Sequence, residues 1–266
     1  FFVACSLQDM IRLHLMRGKK LDEFHSYWAA QLNDTHPSIA VAELMRLLVD
    51  EYLMDWDQAW AITQQTWGYT NHTLVTEALE KWPLPLFSKF LPRHLEIIFE
   101  INRRFLDGLR SRYPGNNELL RRLSLIDETG EKYVRMAHLA SVGSHAINGV
   151  ASLHTELLKQ TVLSDFYAVT PEKFVNVTNG ATPRRWIVLS NPKLAALITG
   201  RIGGRWVSDL EEELERIGPF AVGPGFQREW QAVKAVNKRD LAGFIKERTG
   251  IVVNPQSLFD IQVKRL

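Results

Sequence analysis

The sequence predicts an α/β fold that is mainly helical. Three observations carry that reading. Apolar residues recur at three- and four-residue steps through most of the chain, a short pair of apolar runs reads as a hairpin, and a last apolar run reads as a strand. After Thr35-His36-Pro37, the residues Ile39, Ala42, Met45, Leu48 and Tyr52 form one stripe, with Pro37 placed for a first helical turn. Asp55 or Asp57 can cap a second helix running through Trp60 and Trp67. A third starts at Pro92, where Leu95, Ile98, Asn102, Phe105 and Leu109 share a face until Tyr113-Pro114-Gly115 stops it. Residues 123–127 and 132–136, joined by Glu128-Thr129-Gly130-Glu131, make the hairpin. A further helix is expected over 144–159, with small residues on one side that allow a backbone or a ligand to approach.

Residues 176–183 crowd Asn, Thr, Gly and Pro together and mark a break. Beyond it, helices are expected after Asn191-Pro192, near 209–216, and from Gln227 to Arg248, closed by Gly250. Residues 257–263 are the last strand. One strand cannot satisfy its own backbone edges, so its partners are expected beyond residue 266. The chain also opens on Phe1 without Met, and it reads as a piece of a longer protein.

With 266 residues, 45% hydrophobic and 23% charged, the chain can bury one large core or two small ones. Sixteen Gly, 11 Pro and a single Cys exclude collagen, low-complexity disorder and a disulfide-stapled scaffold. Cys5 has no partner in the chain, which fits a reducing compartment, and no apolar run approaches the ~20 residues of a membrane span. Cytoplasmic location is the expectation, and no membrane partner is expected. A formal net charge of +2 argues against a nucleic-acid partner. Residues 1–182 hold 18 Lys+Arg against 21 Asp+Glu, and residues 183–266 hold 14 against 9. All eight His lie at or before His154, so the two regions differ in character.

Leu32-Asn33-Asp34-Thr35-His36-Pro37 gathers amide, carboxylate, hydroxyl and imidazole groups ahead of a helix. Helix capping and chemistry both fit, and spacing alone favours capping. Tyr69-Thr70-Asn71-His72-Thr73 raises the same choice. Asp34, His36 and His72 could also converge on a metal, but no HExxH or CxxC pattern supports that, and no metal is expected. His145 and His154 fall at helical spacing and read as packed or surface residues. Asn176-Val177-Thr178-Asn179-Gly180-Ala181-Thr182-Pro183-Arg184-Arg185-Trp186 is denser in hydrogen-bonding side chains than a plain linker. Neutral amides and hydroxyls of this kind suit sugar hydroxyls. Lys264-Arg265 follows a strand-like run, where α/β proteins place anion contacts; a solvated basic end fits equally.

Seven ordered blocks resemble the α-glucan phosphorylases, the family of glycogen, starch and maltodextrin phosphorylases. They are Gln31-Leu32-Asn33-Asp34-Thr35-His36-Pro37, Tyr69-Thr70-Asn71-His72-Thr73, Glu77-Ala78-Leu79-Glu80, Leu91-Pro92-Arg93-His94-Leu95, Gly143-Ser144-His145-Ala146-Ile147-Asn148-Gly149-Val150, Thr178-Asn179-Gly180-Ala181-Thr182-Pro183-Arg184-Arg185-Trp186 and Leu258-Phe259-Asp260-Ile261-Gln262-Val263-Lys264-Arg265. Ala181 stands where the family prefers a larger apolar residue.

The resemblance implies the central part of a two-lobed glycosyltransferase of the GT-B class. Residues 1–180 would be the end of the N-terminal, glucan-binding lobe, and 181–266 the truncated start of the C-terminal, cofactor lobe. The implied reaction transfers the terminal α-1,4-linked glucose of a glucan to inorganic phosphate, giving glucose 1-phosphate with retention. Pyridoxal 5′-phosphate is the implied cofactor and a homodimer the implied assembly of the full-length enzyme. His72 matches the catalytic-site histidine that contacts glucose, and Asn179 the asparagine that holds its 6-hydroxyl. Asp34 and His36 match positions lining the neighbouring sugar cleft, and Val150 lies in a segment against the active site. Lys264 matches a residue near the cofactor phosphate, and Arg265 the arginine that grips the substrate phosphate. The Schiff-base lysine falls outside these residues, so the chain alone is expected to be inactive. The alternative is a glucan-binding or interaction module without catalysis.

Overall fold

Seven short strands are present among the described residues, 1–261, of the computed structural model: β1 (Ala30–Asn33), β2 (Trp67–Thr70), β3 (Lys81–Pro83), β4 (Ile126–Asp127), β5 (Tyr133–Arg135), β6 (Ala146–Gly149) and β7 (Phe174–Asn176). Four of them form a parallel sheet in the order β1-β2-β6-β7. The other three form a small antiparallel sheet, β3-β5-β4. In the parallel sheet Leu32 lies opposite Tyr69, Tyr69 opposite Ile147, and Ile147 opposite Phe174. All four side chains are buried. Because successive residues of a strand face opposite ways, the next row (Asn33, Thr70, Asn148, Val175) faces the other side of the sheet at its carboxyl end.

Ten helices surround these sheets: α1 (Phe2–Met16), α2 (Phe24–Tyr27), α3 (Ala40–Arg46), α4 (Trp56–Thr66), α5 (Leu84–Phe90), α6 (Pro92–Arg112), α7 (Asn117–Leu123), α8 (Met136–Gly143), α9 (Ser152–Gln160) and α10 (Ser164–Val169). Every residue of α3 from Ala40 to Met45 is buried, so this helix is the centre of the core rather than an amphipathic cover. Asp55 caps α4, its side chain accepting from the Asp57 and Gln58 N–H groups. Helix α6 buries Leu95, Ile98 and Leu109 of the expected stripe, and residues 126–127 and 133–135 pair as the expected hairpin.

The structure corrects four sequence expectations. The helix expected over 144–159 is two elements, β6 and α9, because Asn148 and Gly149 are poor helix formers and Ile147 completes the buried row of the sheet. The helix expected to run through Trp67 ends at Thr66, and Trp67 opens β2. Pro37 lies in a tight turn ahead of α3, with Ser38 N–H donating to the Thr35 carbonyl and Ala40 N–H to that of Pro37. Residues 257–261 form no strand; the remainder of that expected strand, with Lys264 and Arg265, lies outside the described residues.

The chain divides into two compact units, Phe1–Asn179 and the segment from Gly180 onward, within the expected break. The second unit is helical: α11 (Pro192–Ile202), α12 (Leu210–Leu214), α13 (Gly218–Ala221) and α14 (Pro224–Thr249). The Asn191 side chain caps α11 through the Leu194 N–H, and α14 ends at Gly250 in the left-handed conformation, φ 73. Its core is small: Ala195, Ile198, Ile202 and the fully buried Trp206. The Trp206 indole N–H donates to Thr199 Oγ1 at 3.1 Å. Polar ties join α14 to α11, with Lys193 and Asp240 2.6 Å apart and Arg201 and Glu229 2.6 Å apart.

Candidate functional site

The candidate residues of the first unit gather where the parallel strands end. Ligands of open parallel sheets bind beyond the strand carboxyl ends, and each of the four strands here delivers polar groups to that edge. Strand β1 ends in Asn33, and Asp34 follows it. Asp34 has a left-handed backbone (φ 66), a region Asp enters more readily than most residues. Its N–H donates to the Thr70 carbonyl at 2.9 Å and its Oδ1 accepts the Thr35 N–H at 2.8 Å. The kink turns the chain away from the sheet toward Thr35 and His36.

Glu80 holds that turn from another element. Thr35 Oγ1 donates to Glu80 Oε2 at 3.0 Å, and His36 Nδ1 lies 3.0 Å from Glu80 Oε1. His36 Nε2 lies 3.9 Å from Asp34 Oδ2. Asp34 and His36 are therefore brought together, with the His36 ring largely exposed.

Strand β2 presents His72. The buried Asn71 shapes the turn: its N–H donates to the Asn148 carbonyl, its Oδ1 accepts the Thr73 N–H, and its Nδ2 donates to the Tyr69 hydroxyl. Burial pushes the Tyr69 phenol up, above any working pH, so the hydroxyl keeps its proton. His72 itself is exposed, and its Nε2 lies 2.6 Å from Asn33 Oδ1. An acceptor in that place selects the tautomer with a proton on Nε2 and leaves Nδ1 as a lone pair in the neutral ring.

Beneath these groups runs a neutral network. Thr70 Oγ1 donates to Asn148 Oδ1 at 2.7 Å, and Gln31 Nε2 reaches both Thr70 Oγ1 at 2.9 Å and Asn148 Oδ1 at 3.2 Å. Gln31 can lie across β2 because Gly68 has no side chain; a Cβ there would come within 2.5 Å of Gln31 Oε1.

Strands β6 and β7 supply Val150 and Asn179. The Asn179 N–H donates to the Val150 carbonyl at 3.0 Å, and the Val177 N–H to that of Gly149 at 3.2 Å. Asn179 is exposed and belongs to the first unit. His154, at the start of α9, accepts the Val150 N–H on Nδ1 at 3.1 Å. Burial, then the charge of nearby His72, holds the His154 ring below its ordinary value. His145 lies at the opposite, amino end of β6, its Nδ1 3.3 Å from the Gln64 carbonyl.

Asp34, His36, His72, Val150 and Asn179 thus sit on one sheet edge, whereas Lys264 and Arg265 are outside the described residues. No group of three or more His, Cys, Asp or Glu among the described residues is placed to hold a metal ion, and no described helix is long and apolar enough to cross a membrane. Residue-by-residue reading names Asn33 within its loop and takes His154 for a packed or surface residue, but pairs neither with a partner; Glu80 and Asn148 enter only as members of the quoted blocks.

A model of the carbohydrate phosphorylase family matches residues 1–266. Among similar proteins, glycogen phosphorylase of Synechocystis is 63% identical over 266 residues, covering 100% of this chain and 31% of the relative. Glycogen phosphorylase of Chlamydia trachomatis is 48% identical over 266 residues, covering 100% of this chain and 33% of the relative. The muscle form of human glycogen phosphorylase is 49% identical over a 276-residue alignment, covering 100% of this chain and 32% of the relative. The chain therefore spans about a third of the length of the relatives it matches. With a family match that leaves no residue out, and with its polar groups arrayed along the carboxyl edge of a parallel sheet, this chain belongs to the carbohydrate phosphorylase family.

Proposed function

We propose that the chain is the central part of an α-glucan phosphorylase. The sheet edge formed by His72, Asn33, Asp34, Val150 and Asn179 would receive the terminal glucose of an α-1,4-glucan. Inorganic phosphate would accept that glucose, releasing glucose 1-phosphate with retention. The observation that carries this reading is the His72–Asn33 pair at 2.6 Å: one neutral amide fixes an exposed imidazole so that its other nitrogen can face a hydroxyl. Sugar recognition needs such directed, uncharged contacts, and Asn179 adds an exposed amide on the neighbouring side. In this reading His72 holds a glucose hydroxyl, Asn179 holds the 6-hydroxyl, Asp34 and His36 line the adjoining cleft, and Val150 closes the wall. Arg265 would clamp phosphate through its two-pronged guanidinium.

The same reading places residues 1–180 in the glucan-binding lobe and 181–266 at the start of the cofactor lobe of a GT-B enzyme. The full-length protein would be a cytoplasmic homodimer. Pyridoxal 5′-phosphate would supply a phosphate group for proton relay beside the substrate phosphate. The described residues do not by themselves build a site for it. Lys173, whose burial pulls its ammonium down to about 8, donates to the Ser141 and Val142 carbonyls instead, and Lys264 lies beyond the described part.

The test is phosphorolysis by the full-length enzyme. Asn179→Ala and His72→Ala are each expected to lower kcat/KM for glucan roughly 5- to 150-fold, the effect of losing one hydrogen bond that tightens in the transition state, with little change in stability. Wild-type kinetics in both variants would sink the assignment of this edge. The 266 residues alone are expected to release no glucose 1-phosphate.

A further inference from the structure

The ring of His154 stands on the first turn of α9 but serves the strand end next to it. Its Nδ1 accepts the Val150 N–H at 3.1 Å, while the Val150 carbonyl accepts the Asn179 N–H at 3.0 Å. Val150 is therefore gripped on both sides, and the Asn179 backbone is located through it. Because Nδ1 is an acceptor, the neutral ring carries its proton on Nε2. That Nε2 is shielded from solvent and has no hydrogen-bond partner among the described residues. A donor in that state costs more than an ordinary hydrogen bond contributes, so stability alone does not account for an imidazole here.

The neighbouring residues make room for the ring and anchor its helix. A Cβ on Gly149 would come within 2.8 Å of His154 Nδ1 and would also overlap Thr155. Thr155 Oγ1 donates to Asn176 Oδ1 at 2.8 Å, which ties the same turn of α9 to β7. Burial and the nearby His72 both favour the neutral ring, the form in which Nδ1 can accept.

We propose that His154 is a positioning residue for the sugar-binding edge: by holding the Val150 N–H it fixes the backbone from which Asn179 is presented. This rests on the function proposed above, in which Asn179 holds a glucose hydroxyl. His154 touches no substrate in this scheme and acts through Val150.

Two variants of the full-length enzyme separate the ring's two nitrogens. His154→Asn places a side-chain oxygen where Nδ1 lies and keeps an acceptor for Val150. His154→Gln places its polar end where Nε2 lies and leaves the Val150 N–H unpartnered. The asparagine variant is expected to keep kcat within about threefold of wild type, and the glutamine variant to lose about tenfold, with KM for phosphate unchanged in both. Amide exchange over residues 176–183 is expected to accelerate in the glutamine variant only. Equal losses in the two variants, unchanged kinetics and exchange in both, or failure of both to fold would overturn the positioning role. Absence of phosphorolysis in the wild type would instead refute the proposed function, and the exchange comparison would still judge His154.

Discussion

His94 Nε2 lies 2.6 Å from Glu43 Oε2 inside the first unit, on a carboxylate whose side chain is 3% exposed. Arg46 grips the same carboxylate with a fork, Nε to Oε2 at 2.8 Å and Nη2 to Oε1 at 3.0 Å. Burial alone would raise the Glu43 carboxyl, but the hydrogen bonds from His94 and Arg46 outweigh it and hold the group at about 2, against an ordinary 4.5. The folded state therefore prefers the ionised form. The resulting stabilisation is complete above about pH 4.5 and is lost as pH falls toward 2, on the order of 3 kcal/mol in all. Glu43→Gln, which leaves the Arg46 charge without its buried partner, is expected to lose about 3 kcal/mol at neutral pH and to flatten the acid limb. Urea midpoints of both proteins between pH 2 and 7 check this; parallel acid limbs would mean the pair is energetically silent.

Gly149 offers a test of packing at the site's floor. Gly149→Ala would drive a methyl group into Thr155 and the His154 ring, and an overpacked site of this kind costs about 1–3 kcal/mol. Gly180→Ala is the control, since nothing lies within 4 Å of a Cβ there. Denaturation midpoints are expected to fall for the first variant and to stay put for the second.

Asn33 holds the His72 ring through its side-chain oxygen. Asn33→Ala leaves the imidazole free to turn, and kcat/KM for glucan in the full-length enzyme is expected to fall about fivefold through the lost hydrogen bond. The KM for phosphate is expected to hold. Unchanged glucan kinetics would show that the His72 ring needs no such support.

Arg265 carries the phosphate side of the proposal. Lysine keeps the charge but loses the two parallel N–H donors. Arg265→Lys in the full-length enzyme is therefore expected to raise KM for phosphate and lower kcat, with KM for glucan far less affected. Steady-state kinetics with each substrate varied in turn decides it, and an equal loss for both substrates would remove Arg265 from the clamp.

The long helices were legible because their signals are redundant. Helix α6 has Pro92 at its start and a buried stripe through Leu95, Ile98 and Leu109, and α14 has Gly250 at its end. The parallel sheet was not. Its strands are three or four residues long, too short for alternation to register. Ala146-Ile147-Asn148-Gly149 offers one large apolar residue whose partners, Tyr69 and Phe174, are far away in the chain. For the same reason the candidate residues could be named from the resemblance but not paired. That Asn33 meets His72 follows from the register of β1 on β2, a relation between segments 39 residues apart, and that His154 serves Val150 follows from splitting one expected helix into a strand and a helix.

The order β1-β2-β6-β7 is also the order of synthesis. Among these four strands, each one pairs with the strand made before it, and none is threaded between two of the others. As the chain leaves the ribosome, these four strands can pair in the order they are made, with α3, α4 and α8 formed between them. The antiparallel sheet behaves differently: β5 pairs with both β3 and β4, so that sheet waits for its last-made strand. The candidate edge would then be completed only when residues 174–179 emerge, at the boundary where the first unit ends.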